Sequence, residues 1–168
     1  MMFNGPFSGR EIIGMPDLRR LALGVLLSLL ACAPVMASVP TELVRALYGE
    51  ANISLSPAQS TAYFAHDLDV ALRADSANPG EVGAIDFDYR YGAQDDQISG
   101  LNFIEEIDHD SASVVAVFKN FGKANSVNWT LCRRNDGSWR VADAWSNTGS
   151  ETWDLRDMLK LARDRVRC

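Results

Sequence analysis

The chain has little of what most metal-binding and nucleophilic sites are built from. Its 168 residues include three cysteines and two histidines. No His-x-x-x-His or Cys-x-x-Cys spacing occurs, so no resident metal is expected. Gly-x-Ser-x-Gly turns and phosphate-cradling glycine loops are also missing, and no cofactor is expected. With 12 glycines and 6 prolines, the composition excludes a collagen-like or low-complexity chain. Basic residues are outnumbered, 16 Lys and Arg against 22 Asp and Glu, for a net charge of −6. That balance argues against nucleic acid as a partner.

One long apolar run is present. Leu21 to Leu30 follows Arg19-Arg20 and precedes Pro34 and the small-residue site Val35-Met36-Ala37. This is the three-part pattern of a signal peptide over residues 1–37, too short in its apolar part to span a bilayer. Leu29-Leu30-Ala31-Cys32 resembles a lipobox and offers an alternative, with Cys32 as a lipid-modified first residue and a membrane anchor. Either route delivers the rest of the chain to the periplasm or outside the cell, and the soluble form is favoured. Residues 1–37 hold three arginines and two acids, so the remaining 131 residues carry a net −7. They include Cys132 and Cys168, which in an oxidising compartment form either a disulfide or a buried thiol and a terminal one.

Residues 38–168 read as one α+β domain. Leu43, Val44, Leu47 and Tyr48 give a helical period from Pro40 to about Gly49. Ser56-Pro57-Ala58-Gln59 is a capping box that starts a second helix. Its apolar stripe is Thr61, Phe64, Ala65, Leu68, Ala71 and Leu72, which places His66, Asp67 and Asp69 outward and pairs Asp69 with Arg73 on the surface. Asn78-Pro79-Gly80 ends this region. Four alternating segments follow, Ile98 to Asp108, Ala112 to Phe121, Val127 to Arg134 and Trp139 to Trp145, joined by short turns as an antiparallel meander. A closing helix is expected from Ser150 to Arg167, with Arg163, Arg165 and Arg167 at the negative end of its dipole.

Several residues then carry a resemblance. They are Ala46-Leu47-Tyr48, Tyr63-Phe64 with Asp67-Leu68, Ile85-Asp86-Phe87-Asp88 leading to Gln94-Asp95, and Gly137 to Asp143 (GSWRVAD). Together, over roughly residues 41–162, they resemble a bacterial family of exported or lipidated envelope proteins that is itself a domain of unknown function. That family looks like part of the nuclear transport factor 2-like superfamily. The resemblance implies a cone: N-terminal helices and a C-terminal helix packed on a curved antiparallel sheet of about four strands, leaving a pocket. It implies no established activity.

The acidic stretch is the leading candidate site. Asp86, Asp88, Tyr89, Tyr91, Gln94 and Asp95, with Asp96 and Arg90 among them, could meet a cation or a partner through carboxylates and rings. Read structurally, the same aspartates make turns with their own backbone and pair with Arg90. EF-hand spacing is absent. Asp143 is the best candidate for acid–base work, since strict alternation puts it on one face with Val141 and Trp145, where tryptophans would raise its pKa. Trp129, Trp139 and Trp145 fall on successive strands and Trp153 at the start of the last helix, as core or pocket lining.

The expected function is a non-catalytic binding domain of the bacterial envelope. It recognises a protein partner, as an accessory, immunity or inhibitor subunit, or holds a small ligand in a cone pocket, with the protein partner slightly preferred. The alternative is a small acid–base enzyme using Asp143 or the Asp86–Asp96 loop.

Overall fold

The structure is a computed structural model and describes residues 39–77, 82–148 and 152–168. The signal sequence, Cys32, the Asn78-Pro79-Gly80 break and the expected helix start at Ser150 lie outside the described residues.

Three helices precede the sheet: α1 (Pro40–Gly49), α2 (Pro57–Tyr63) and α3 (His66–Asp75). The starts of α1 and α2 each have an identifiable cause. Pro40 fixes the first turn of α1, and the Thr41 N–H and hydroxyl both donate to the Glu105 carboxylate, at 2.7 and 2.6 Å. The capping box at α2 forms as expected, with Ser56 accepting from the Gln59 N–H and the Gln59 side chain accepting from the Ser56 N–H.

The second expected helix is in fact two. At Phe64 and Ala65 the chain is extended, and the Ala65 N–H donates to the Val141 carbonyl at 2.8 Å. No glycine or proline marks this break. The chain leaves the helix because these two residues pair with an otherwise open strand edge, and tertiary hydrogen bonding overrides local propensity.

Strands β1 (Ile98–Asp108), β2 (Ser111–Asn120), β3 (Lys123–Arg133) and β4 (Trp139–Ser146) form the expected meander. A fifth strand, β5 (Trp153–Asp154), was not foreseen; it extends the antiparallel order to β1-β2-β3-β4-β5. His109-Asp110 and Phe121-Gly122 make two-residue turns, with His109, Phe121 and Gly122 at positive φ. Primed turns of this kind match the twist of their strands.

Helices α1, α2 and α3 share one face of the sheet, which carries Val114, Ala116, Trp129 and Leu131. Opposite them sit Val44, Leu47, Tyr48, Phe64 and Leu68, so the core is a single aromatic-rich layer between helices and sheet. Tyr48 meets Tyr91, Phe103 and Trp129 edge-on at centroid distances of 5.4, 5.4 and 5.8 Å. T-shaped contacts of this kind pack large rings with favourable quadrupoles.

The chain end differs most from expectation. Only α4 (Leu155–Met158) is helical, and Lys160 turns left-handed at φ 57°. Three ties explain why the helix stops. Cys168 is bonded to Cys132 in β3, with Cα atoms 5.9 Å apart. The Arg167 carbonyl accepts from the His66 N–H, and the Arg156 guanidinium donates to the carbonyls of Ala142 and Ala162. Arg163 consequently pairs with Asp154 and Asp157, both at 2.7 Å, and not with a helix dipole.

Candidate functional site

Asp88 organises the acidic stretch from within. Its N–H pairs with the Ala93 carbonyl at 3.0 Å, and its own carbonyl accepts from Tyr91, Gly92 and Ala93. Its carboxylate takes the Arg90 N–H and grips the Arg90 guanidinium through Nε and Nη2, the latter at 2.6 Å. Arg90, 6% exposed, reaches onward to the Glu50 carbonyl at 2.6 Å and the Leu47 carbonyl at 3.4 Å. These carbonyls lie at the C-terminus of α1, where a cation also suits the helix dipole. Burial works against the Arg90 charge, but hydrogen bonding to Asp88 outweighs it and raises its pKa. Gly92 closes the loop at φ 63°, and a Cβ there would sit 2.7 Å from the Trp153 indole nitrogen. The Asp88–Arg90 pair is thus a clamp on α1.

The six residues singled out in this stretch do not converge. Asp86 and Gln94 are exposed and share one 3.3 Å hydrogen bond. Asp95 is exposed beside Asn120, which donates to its carbonyl. Tyr91 packs edge-on against Tyr48 and Phe118. Tyr89 alone turns inward, stacked edge-on with Phe64 and Trp129 and 5% exposed. No group of three His, Cys, Asp or Glu able to hold a metal occurs among the described residues.

Asp143 lies in a different setting from the one alternation predicts. The β3–β4 register steps from Thr130↔Asp143 to Leu131↔Val141, so Ala142 is an extra, bulged residue. Val141 and Ala144 therefore face the core, while Asp143 points to the other side with Trp145. There the first turn of α4 covers it. Oδ1 accepts the Ala144 N–H at 2.9 Å and the Arg156 N–H at 3.3 Å. Burial, helped by the charge of Asp154, pushes its pKa up to about 6 against these hydrogen bonds. Asp143 is not in the wall of the cavity lined by Phe64 and Tyr89, nor of the clefts lined by Trp145 and Trp153 or by Val70 and Leu161.

One buried ion pair has no signal in the sequence pattern. Arg156 is 2% exposed and bonds Asp67 at 2.7 Å, tying α3 to α4 across the outer edge of β4. Asp69, placed outward by the helical stripe, is 1% exposed. The break at Phe64–Ala65 reorients α3 and turns Asp69 into the gap beside α2. It accepts from Ser60 at 2.6 Å, Thr61 at 3.0 Å, and Arg73 through Nε and Nη2 at 3.0 and 2.9 Å. Burial pushes the Asp69 carboxyl up, but these donors outweigh it and hold it below the usual carboxylate value. The Asp69–Arg73 spacing of four was visible in the sequence, whereas its burial depended on the helix break.

Next to this network lies a cavity of about 280 Å³. The inner face of the sheet is filled by rings, so the opening is not between sheet and α1. It lies between α2, α3 and the two loops around Leu55 and Phe87. Ile53, Leu55, Leu72, Ile85 and Phe87 make its apolar walls, and Phe64 and Tyr89 form its side toward the core. Ser60, Arg73, Asp75 and Ser76 supply polar groups. Asp75 holds the Ala84 and Ile85 N–H groups at 2.7 and 3.1 Å, which fixes the second loop. The Tyr89 hydroxyl has no hydrogen-bond partner among the described residues, and burial raises its pKa, so it stays a neutral O–H.

By its architecture the chain is an α+β protein with an open five-stranded antiparallel sheet and a few helices. No protein-family model, no curated protein and no solved structure matches it. No helix among the described residues is long and apolar enough to cross a membrane.

Proposed function

We propose that this is a non-catalytic binding domain of the bacterial envelope, on a nuclear transport factor 2-like frame, whose cavity holds a small and mainly apolar ligand. The observation that carries the reading is the cavity of about 280 Å³ between α2, α3 and the two loops, walled by Ile53, Leu55, Leu72, Ile85 and Phe87 and reached by the Tyr89 ring from the core side. The cavity volume is at the small end of ligand pockets, and its walls are apolar with few polar groups, the usual composition of such sites. Export of the domain rests on the signal pattern in residues 1–37 and agrees with the Cys132–Cys168 bond.

The acid–base alternative has weaker support. Asp143 lies outside the cavity walled by Phe64 and Tyr89, and the Asp88 carboxylate is engaged by Arg90. The test of the binding reading is a titration of the amide NMR spectrum with toluene. Shifts confined to residues 53–55, 72–76 and 85–89, abolished by Leu72→Trp, are expected. An unchanged spectrum at saturating toluene refutes it.

A protein partner is the second reading, favoured by β1. This strand ends the sheet and exposes Ile104 and Ile107, at 58% and 52%. Exposed apolar edge strands are ready pairing surfaces. A photo-crosslinker at position 104 in the native envelope yields a protein-sized adduct on this reading, and free chain only if it is wrong.

A further inference from the structure

Charge at the cavity wall is not balanced. Two charged side chains line it, Arg73 and Asp75. The Arg73 guanidinium is held by the Asp69 carboxylate through Nε and Nη2, at 3.0 and 2.9 Å, and Asp69 itself stands outside the wall. The charges of that pair cancel. Asp75 has no such partner. Among the described residues its carboxylate accepts the Ala84 and Ile85 N–H groups, at 2.7 and 3.1 Å, and no Lys, Arg or His pairs with it. Arg73 and Asp75 are two positions apart on α3, a spacing at which helix side chains do not meet. Two backbone donors orient a carboxylate and leave its charge, and about half of its lone-pair sites, unused. Asp75 is also the last residue of α3, where the negative end of the helix dipole adds to its own charge.

We infer that the cavity binds a small apolar amine in its protonated form, with the ammonium group paired to Asp75 and the apolar body against Leu72, Ile85 and Phe87. An ammonium has three N–H donors, and a cation that leaves water must have them met. The wall offers the Asp75 carboxylate and the hydroxyl oxygens of Ser54 and Tyr89, neither of which has a partner among the described residues. The rings of Phe64, Phe87 and Tyr89 line the same space, and aromatic faces attract cations. A carboxylate ligand of the same shape meets the uncompensated Asp75 charge and an arginine that Asp69 has already neutralised. This inference rests on the cavity being a ligand site, and it adds the charge of what enters.

Three near-isosteres of different charge test it: phenethylamine, 2-phenylethanol and phenylacetate, titrated at neutral pH into the exported domain and read by amide NMR shifts, with toluene as the purely apolar control. Phenethylamine is expected to bind at least about tenfold more tightly than 2-phenylethanol, as a hydrogen bond to a charged group does, and phenylacetate more weakly than either. Asp75→Asn removes the charge at nearly constant volume; it is expected to abolish the advantage of the amine and to leave toluene unchanged. Should Asp75→Asn disturb the loop that its carboxylate holds, the wild type at low and high salt decides instead, since added salt weakens the amine and spares the alcohol. Phenylacetate binding as tightly as phenethylamine, or phenethylamine no tighter than 2-phenylethanol, overturns the inference. An amine preference that survives Asp75→Asn, or in the wild type is untouched by salt, does the same. Toluene separates the two levels: if it shifts the cavity residues while the amine has no advantage, only the charge claim fails. If none of the four compounds shifts them, the ligand-site reading fails and this inference with it.

Discussion

Replacing Asp143 by Asn separates a buried structural carboxyl from a catalytic one. In the folded chain the group is 7% exposed and its pKa stands at about 6, against 3.8 for a free carboxyl. The native state therefore binds the proton more tightly than the unfolded chain. Stability from this group is fully present below about 3.8 and is lost as pH rises through about 6. A move of that size corresponds to roughly 3 kcal/mol at neutral pH, an upper limit. Asn keeps Oδ1, the atom that accepts from Ala144 and Arg156, and presents an N–H₂ group in the neighbourhood of Asp154. We expect Asp143→Asn to stabilise the domain by about 1–2 kcal/mol at pH 8, raising Tm by several degrees. At pH 4 the gain shrinks to less than about 1 kcal/mol, because the wild-type carboxyl is then protonated. Urea unfolding at both pH values, with the disulfide intact, reads the difference. Equal effects at the two pH values, or a loss of stability at pH 8, refute the argument from burial.

Other consequences follow from the same contacts. Arg156→Met leaves Asp67 without its partner in a mostly buried site and the Ala142 and Ala162 carbonyls without a donor; a loss of about 3–5 kcal/mol in urea unfolding is expected. Cys168→Ser opens a bridge between residues 36 apart. The loop-closure relation gives about 4 kcal/mol for that loss, and hydrogen exchange at the His66 amide should accelerate as the tail frees its carbonyl partner. Gly92→Ala places a methyl 2.7 Å from the Trp153 indole nitrogen at φ 63°. A loss of about 2–3 kcal/mol is expected from the left-handed backbone and the clash together, and equal stability to wild type would show that β5 yields easily.

The strands were legible because alternation and turn chemistry are local. Ala112, Val114 and Ala116 alternate with exposed or half-buried neighbours, and the turns at His109-Asp110 and Phe121-Gly122 sit one or two residues from where polarity placed them. The capping box at Ser56 was equally plain. What could not be read depends on contacts between distant segments. Nothing near Phe64 announces that its backbone will pair with Val141, yet that pairing splits a helix and turns Asp69 inward. The bulge at Ala142 moves Asp143 off the face of Val141, because one extra residue reverses a period of two. The last helix has a regular apolar stripe from Leu155 to Val166, but a disulfide at Cys168 and the Arg156 contacts hold the segment in another path.

The candidate site was half visible. Tyr89 was picked out with the acidic loop, for its ring beside carboxylates, but its place is the wall of a cavity on the other side of that loop. Asp88 drew attention as a ligand group and is instead the anchor of Arg90. Arg73 and Asp69 were recognised as a pair, and the helix break that brings Ser60 and Thr61 to them decides their role. In each case the residue type was informative and the neighbour across the fold was not.

Native mass spectrometry of the domain, extracted gently from its own envelope, tests the central claim most directly. The account predicts a non-covalent addition on the order of one to two hundred daltons, fitting the small apolar cavity. It should vanish on denaturation and be absent from a folded Leu72→Trp variant. A bare chain mass in the wild type, or an addition that Leu72→Trp retains, contradicts the assignment of the cavity between α2 and α3 as the binding site.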